Sequence, residues 1–380
     1  MAILNCKAGL IQERKGQYQS AINWLEEALA VMDTDMEETA GINYAMAGVL
    51  YRMGQHSQAM EWCNRGLDIA REVSSDTEIA HGYYLLGTLY TELGNTDKAI
   101  SFRERALDTY EKLGDMIGQA RVHNNLGVDY YYYGDWERAK THYNKSLEIR
   151  EKIGDINGVA TVSNNLGEIL SDQGYCDEAI TSFQTCLKTW QRIGYHLGVG
   201  LANSNLGRAY TRKHQGETAL ELIGKAMKIF EEVGSGGFIL ECNYRLAEAY
   251  FELSQYQKAL DYCETALNMA REGKIPLIEA AVLRVKSQTL QRLGRINEAV
   301  ENIRESRNIL EKINAPYELA CTLWELALIC AEESDESTDF DRETNRDLFI
   351  QSVETFTRLG ILRHRDQIDR LNSFYKIDTG

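Results

Sequence analysis

The sequence predicts an all-α solenoid of about nine helix pairs plus a C-terminal capping helix, and three observations carry that expectation. The chain has 380 residues, more than one compact core usually holds, so several domains or a repeat array is expected. It holds only 2 prolines amid abundant Ala, Leu, Glu and Arg, residues that lose little on entering a helix. Small residues recur at a fixed interval: Gly9, Ala47, Gly87, Gly127, Gly167, Gly207, Ala247, Ser287 and Ala327, each 40 residues from the last after the first step.

Each half of the repeat follows from that interval. Twelve residues after the first eight small positions stand Ala21, Ala59, Ala99, Ala139, Ala179, Ala219, Ala259 and Ala299. Seven further on comes another small residue, Ala28, Gly66, Ala106, Ser146, Cys186, Ala226, Ala266 or Ser306. A small residue on the first helix thus faces one on the second, and the two backbones approach closely. Leu86, Leu126, Leu166, Leu206, Leu246 and Leu326, with Tyr90, Tyr130, Tyr210 and Tyr250, fill the volume around that contact. Gly16, Gly54, Gly94, Gly134, Gly174 and Gly294 end the first helices by permitting a left-handed residue. Asn95, Thr96 and Asp135 supply N-caps for the helices that follow.

The run Leu126-Gly127, Tyr130, Gly134, Ala139 and Ser146 matches the tetratricopeptide pattern, in a long 40-residue form. With its recurring EKLGD (111–115) and EKIGD (151–155), that form resembles the spindle-orientation scaffolds with Leu-Gly-Asn repeats and the kinesin light chains. It is also similar to the sensor arrays attached to bacterial signal-transduction ATPases and some nucleotide cyclases; quorum-sensing peptide receptors are a looser relative. The resemblance covers nearly the whole chain and implies a right-handed superhelix forming one array. Its repeats would lie near 1–36, 37–75, 76–115, 116–155, 156–195, 196–235, 236–275, 276–315 and 316–360, with the cap at 360–374.

Departures from the pattern gather at the ends. Lys286 and Arg307 stand where apolar residues are expected in the eighth copy. The ninth carries an acidic insertion of about six residues within 331–345, read as a solvated loop with an acidic docking strip as the competing reading. Residues 1–15 have no polar cap, so they read as the cut edge of a longer protein or as a self-association surface, the first being favoured.

Composition narrows the function. A net charge of −16 disfavours general affinity for nucleic acid or an anionic membrane. No window approaches the roughly 18 uninterrupted apolar residues of a membrane helix, and the N-terminus has no basic segment or cleavage site of a signal peptide. The 8 cysteines include no CxxC pair, which fits a reducing cytoplasm and argues against zinc and disulfides. Cys63 and Cys263 share one repeat position and read as core residues. The 7 histidines show no metal-ligand spacing, although His123 and His142 fall on the two helices of one repeat. No phosphate loop, nucleophile elbow or dinucleotide turn is present, and Gly234-Ser235-Gly236-Gly237 reads as a connector. The chain is therefore read as a binding module without cofactor and not as an enzyme.

The resemblance places the ligand site on the concave face lined by the first helices. Positions three and two before the small residue, and one, four and five after it, point into or edge that groove. They include Asn125, Asn165 and Asn205, preceded by Asn124, Asn164 and Ser204. An amide offers both donor and acceptor, so it can pair with both backbone groups of an extended peptide; asparagines at this place hold the ligand's main chain in the families resembled. Hydrogen bonding to neighbouring helices is the competing reading. Tyr84, Tyr131, Tyr132 and Tyr244 offer flat amphipathic contacts, or serve as packing. Arg121, Arg208, Arg212 and Arg245 lie on the groove side; the last three could clamp an anion or pair with Glu168, Asp172 or Glu248. A peptide-binding scaffold or sensor is the leading expectation, ahead of a ligand-responsive regulatory domain and a self-assembly module.

Overall fold

A computed structural model of the chain describes residues 1–14, 17–32, 37–332, 342–362 and 365–375. Gly16, His364 and the core of the acidic insertion, 333–341, lie outside the described residues. The helices fall into two compact units, Met1–Asp129 with Thr141–Gly154, and Tyr130–Lys140 with Asp155–Gly380. The first holds α1 (Ala2–Arg14), α2 (Tyr18–Ala30), α3 (Glu37–Arg52), α4 (His56–Glu72), α5 (Asp76–Glu92) and α6 (Thr96–Leu113). Helices α7 (Met116–Tyr133) and α8 (Trp136–Ile153) contribute to both units. The second unit holds α9 (Ile156–Gln173), α10 (Cys176–Ile193), α11 (His196–Arg212), α12 (Gly216–Glu232), α13 (Gly236–Glu252) and α14 (Tyr256–Gly273). It ends with α15 (Pro276–Arg292), α16 (Ile296–Ile313), α17 (Pro316–Glu332), α18 (Arg342–Leu359) and α19 (Arg365–Tyr375). Consecutive helices pack as pairs, α3 on α4 and α11 on α12 among them, which makes an all-α, tetratricopeptide-like solenoid.

A metronomic turn sets the repeat. From residue 54 to residue 314 a left-handed residue falls every 20 positions. Gly54, Gly94, Gly134, Gly174 and Gly294 end first helices, as the sequence predicts, while Gly114, Gly154, Gly194 and Gly234 end second helices. Ser74, His214, Ser254, Lys274 and Asn314 hold the same conformation without being glycine. Each repeat is thus two halves of equal length. The next helix is started by a side-chain cap where one is available. Asn95 accepts from the Lys98 amide at 3.2 Å, Asp135 from that of Arg138 at 3.1 Å, and Asp155 from that of Gly158 at 2.9 Å.

The small-residue contacts are real and close. Ala21, Ala59, Ala99, Ala139, Ala179, Ala219, Ala259 and Ala299 have no exposed surface. A Cβ on Gly207 would meet the Ala219 carbonyl at 3.3 Å and Ile223 Cγ1 at 2.4 Å. Ser287 uses the same approach to donate to the Ala299 carbonyl at 2.7 Å. A size rule links the small residue to the one sixteen positions later. Gly9, Gly87, Gly127, Gly167 and Gly207 face Leu25, Arg103, Tyr143, Phe183 and Ile223. Where the first helix carries alanine, at Ala47 and Ala247, the later residue is Cys63 or Cys263, both fully buried. The eighth copy departs from the rule, since Ser287 is followed by the large, fully buried Ile303. Opposite Gly87 the residue at this place is Arg103, buried and ion-paired with Asp129, with its Nη2 donating to Thr91 at 3.0 Å.

The second unit returns upon itself. A Cβ on Gly134 would lie 2.6 Å from Pro316 Cγ, and the rings of Trp136 and Tyr317 meet edge-on at 5.1 Å. Gln173 clasps the turn after α18 from both sides: its Nε2 donates to the Leu359 carbonyl at 2.7 Å, and its carbonyl accepts from the Leu362 amide at 3.0 Å. Helix α19 covers the last pair through Tyr375, whose hydroxyl donates to the Ala327 carbonyl at 3.0 Å.

The size rule is testable by a double-mutant cycle read from urea unfolding. Gly207→Ala is expected to cost about 1–3 kcal/mol through overpacking against Ile223. In an Ile223→Cys background the same change is expected to cost less than half as much; equal costs would refute the rule.

Candidate functional site

In the second unit the first helices of five successive pairs, α9, α11, α13, α15 and α17, contribute to the wall of one cavity of about 460 Å³. That volume lies within the roughly 300–1,000 Å³ typical of small-ligand sites. The repeat explains the lining. Arg208, Glu248 and Gln288 sit one residue after the small position, Arg212, Glu252 and Arg292 five after it. Tyr244, Arg284 and Trp324 sit three before it. One helical face thus meets the cavity in every copy, because offsets of −3, +1, +4 and +5 share a side of a 3.6-residue helix.

The polar wall is held by a buried carboxylate. Asp172, near the end of α9, has no side-chain exposure. Its Oδ1 accepts from Arg208 Nη2 and Arg212 Nη2 at 2.6 Å each and from the Tyr317 hydroxyl at 3.0 Å. Its Oδ2 accepts from the Tyr131 hydroxyl. Tyr131 in turn stacks on Trp136 with ring centroids 5.7 Å apart. Burial, and then the neighbouring Asp172 charge, push the Tyr131 phenol well above its ordinary pKa, so it stays a donor. Arg212 also donates to Ser171 at 2.7 Å. Ser171, Asp172 and Gln173 are therefore three consecutive buried polar residues, each engaged with another element.

A second network joins α9, α11 and α13. Asn205 Nδ2 donates to Asn164 Oδ1 at 3.1 Å and to Glu168 Oε1 at 2.8 Å. Asn164 Nδ2 donates to the same Glu168 oxygen at 3.0 Å. From the other side Arg245 Nη1 donates to Asn205 Oδ1 at 2.8 Å and to Ser204 Oγ at 3.0 Å, while its Nη2 pairs with Glu241. Burial raises the Glu168 carboxyl pKa, opposed by Arg208 and Arg245. Tyr244 donates to Glu248 at 2.9 Å, and Arg284 pairs with Glu318 at 2.7 Å. Tyr132 is exposed, and Asn165 is half-buried on α9.

The remaining candidates lie in the first unit. Asn125 donates to the Tyr84 hydroxyl at 3.0 Å and accepts from Asn124 at 3.2 Å. The Arg121 guanidinium lies 4.6 Å from the centroid of the Tyr84 ring. His123 and His142 meet with Nδ1 atoms 3.0 Å apart. Burial, and then His142 and Lys145, depress the His123 pKa to about 4. No group of three metal-ligating side chains occurs among the described residues.

The structure thus brings Arg208, Arg212 and Tyr244 to one cavity and places Asn164, Ser204, Asn205 and Arg245 in a hydrogen-bonded network of the same unit. Sequence reasoning missed Arg284, Gln288, Arg292 and Trp324, although the same offsets point to them. Their copies depart from the motif, with Lys286 and Arg307 at apolar positions, so the repeat pattern does not single them out. Tyr317 lies off the repeat register, and nothing local signals its reach across 145 residues to Asp172.

The chain belongs to the tetratricopeptide repeat family. Models of that repeat match residues 38–112, 78–152, 158–232, 199–272 and 238–312, and a further one matches 2–31. No curated protein matches the chain in sequence. Among solved structures it is similar to the Rap conjugation gene regulator of plasmid pLS20 in complex with the Phr* peptide. That likeness has a TM-score of 0.64 and 17% identity, covering 98% of this chain and 97% of that one. Aspartyl phosphate phosphatase F from Bacillus subtilis matches with a TM-score of 0.57 and 14% identity, over 96% and 95%. A STAND signal-transduction ATPase with a tetratricopeptide sensor, from Pyrococcus horikoshii, matches with 0.51 and 19%, over 96% of this chain and 55% of that one. At such identities the likeness establishes the fold. No helix of the described residues is long and apolar enough to cross a membrane.

Two outcomes follow from the buried groups. Asp172→Asn removes the charge shared by two arginines that are each 17% exposed, and is expected to cost about 3–5 kcal/mol in urea unfolding. A loss under 1 kcal/mol would deny Asp172 its organising role. Because the folded state holds the His123 pKa below its ordinary 6.5, the unfolded chain binds the extra proton between those values. Stability is then full above pH 6.5 and falls as pH drops towards 4, and His123→Gln should flatten that part of a melting-temperature profile.

Proposed function

We propose that the chain is a peptide-binding sensor or scaffold module of the cytoplasm whose ligand sits in the cavity of the second unit. The observation that carries this reading is the cavity itself. It is concave, is walled by the same face of five first helices, and combines aromatic rings with fixed polar groups. Tyr244 offers a flat, partly exposed ring backed by the buried Tyr317 and Trp324, while Arg208 and Arg212 are held in one geometry by Asp172. A pre-organised wall lowers the ordering cost of binding. Asn164, Asn205, Ser204 and Arg245 are buried, and their hydrogen bonds to one another brace α9, α11 and α13 behind that wall. The Rap regulator of the same fold is a peptide complex, which supports the ligand class.

Arg208 and Arg212 are ion-paired with Asp172 and Arg284 with Glu318, so these cations are held as parts of the wall. We read the chain as a binder without cofactor, not an enzyme, and its acidity as unsuited to nucleic acid or anionic membrane. A second reading, control of an attached effector, is favoured by the likeness to an ATPase that carries a tetratricopeptide sensor.

Peptide-display selection against the full chain should enrich short binders, and titration calorimetry should show their affinity falling at least tenfold in Gln288→Trp, which fills the cavity while leaving helicity unchanged. Binders indifferent to Gln288→Trp, or none enriched over an immobilised control protein, would reject this site.

A further inference from the structure

The charges at two fixed offsets of the first helices alternate in sign from one helix to the next, and those of α11, α13 and α15 line the cavity. At one and five residues past the small position, α9 carries Glu168 and Asp172, and α11 carries Arg208 and Arg212. At the same two places α13 carries Glu248 and Glu252, and α15 carries Gln288 and Arg292. Negative, positive, negative and positive stripes therefore lie side by side, with adjacent helix axes about 8–10 Å apart.

The first two stripes satisfy each other. Arg208 and Arg212 both bind Asp172, and Asn205 holds Glu168. The next two do not. Glu248 accepts from the neutral Tyr244 hydroxyl, and Glu252 is met at 2.6 Å by His214, whose side chain is 80% exposed. Arg292 is exposed and makes no ion pair among the described residues, whereas Arg284, about two turns back on the same helix, is paired with Glu318. Facing stripes of opposite sign on α13 and α15 are thus left with spare capacity at the wall of one cavity.

We infer that the cavity selects a short extended peptide carrying a positive and a negative group about three residues apart, the positive group at Glu248 and Glu252 and the negative one at Arg292. The spacing follows from geometry, since a strand advancing about 3.3 Å per residue crosses one helix spacing in roughly three residues. A charge-assisted contact at each end fixes both register and chain direction, while the Tyr244 ring supplies an apolar face one turn before Glu248 on α13. A ligand with one charge leaves one stripe unanswered, and like charges in adjacent positions cannot reach both stripes. The inference rests on the cavity being the peptide site, and deepens that reading into a rule of selectivity.

The probes are blocked hexapeptides of alanine carrying Lys second and Glu fifth, the reverse order, Lys and Glu adjacent, or Lys at both places, titrated into the full chain by calorimetry. One order of the three-residue spacing should bind at least tenfold tighter than the adjacent-charge peptide. Arg292→Glu, at an exposed residue whose loss should not disturb folding, should weaken that peptide at least tenfold and make the two-lysine peptide the tightest. Peptides that bind with loss in Gln288→Trp but rank alike, before and after Arg292→Glu, overturn the selectivity rule and leave the cavity as the peptide site. Failure of these peptides and of the selected ones to depend on the cavity overturns both.

Discussion

A carboxylate with no access to water must be answered by donors fixed around it, and in the second unit that carboxylate is Asp172. Its four donors come from three places in the sequence: Tyr131 at the end of α7, Arg208 and Arg212 on α11, and Tyr317 at the start of α17. Neighbouring repeats could supply the arginines and Tyr131 in any solenoid of this type, since each lies about one repeat from Asp172. Tyr317 could not meet Asp172 unless the unit returned on itself. The flanking residues act in the same sense, Ser171 gripping Arg212 and Gln173 gripping the turn after α18. One short stretch of α9 thereby determines the cavity wall and the closure together.

The rest of the fold is built on a different constraint, the volume available between two helices that touch at small residues. Backbone proximity is fixed first by the glycine or alanine of the first helix and the alanine of the second. The side chain sixteen residues on then takes whatever volume remains. Phe183 and Ile223 follow glycine, and Cys63 and Cys263 follow alanine. Interiors packed near crystal density leave little slack for any other solution. Turns every 20 residues keep this geometry in register from one copy to the next, even where Ser254 or Lys274 must take the left-handed conformation at some cost.

Most of the fold was legible because the signals are local and repeated. The small residues, turn glycines and caps each act within one helix pair, so periodicity reveals them without knowledge of any distant contact. The offsets facing the cavity were legible for the same reason, and they include Arg208, Arg212 and Tyr244. What sequence could not decide was how the amides and guanidinium groups are used. Asn205 takes the role it has because Asn164 and Glu168 lie one repeat before it and Arg245 one repeat after. Each partner is 37 to 41 residues away, and each could have faced solvent instead. Tyr317 marks the limit: its contact depends on the curvature accumulated over four repeats, which no residue pattern encodes locally.

Pairing within the walls bears on how such a cavity can discriminate. A charge already held by a fixed partner contributes little to selecting a ligand, because the ligand must replace an interaction as good as the one it offers. Arg208, Arg212 and Arg284 are in that position, bound to Asp172 and Glu318. They give the wall its shape and its local field more than its specificity. On the proposed reading, discrimination falls to the groups with capacity left, the α13 carboxylates and Arg292, and to the partly exposed Tyr244 ring. The rigid part of the site and its selective part are therefore different residues on the same helical face. A solenoid can supply both, because successive copies present the same offsets with different side chains.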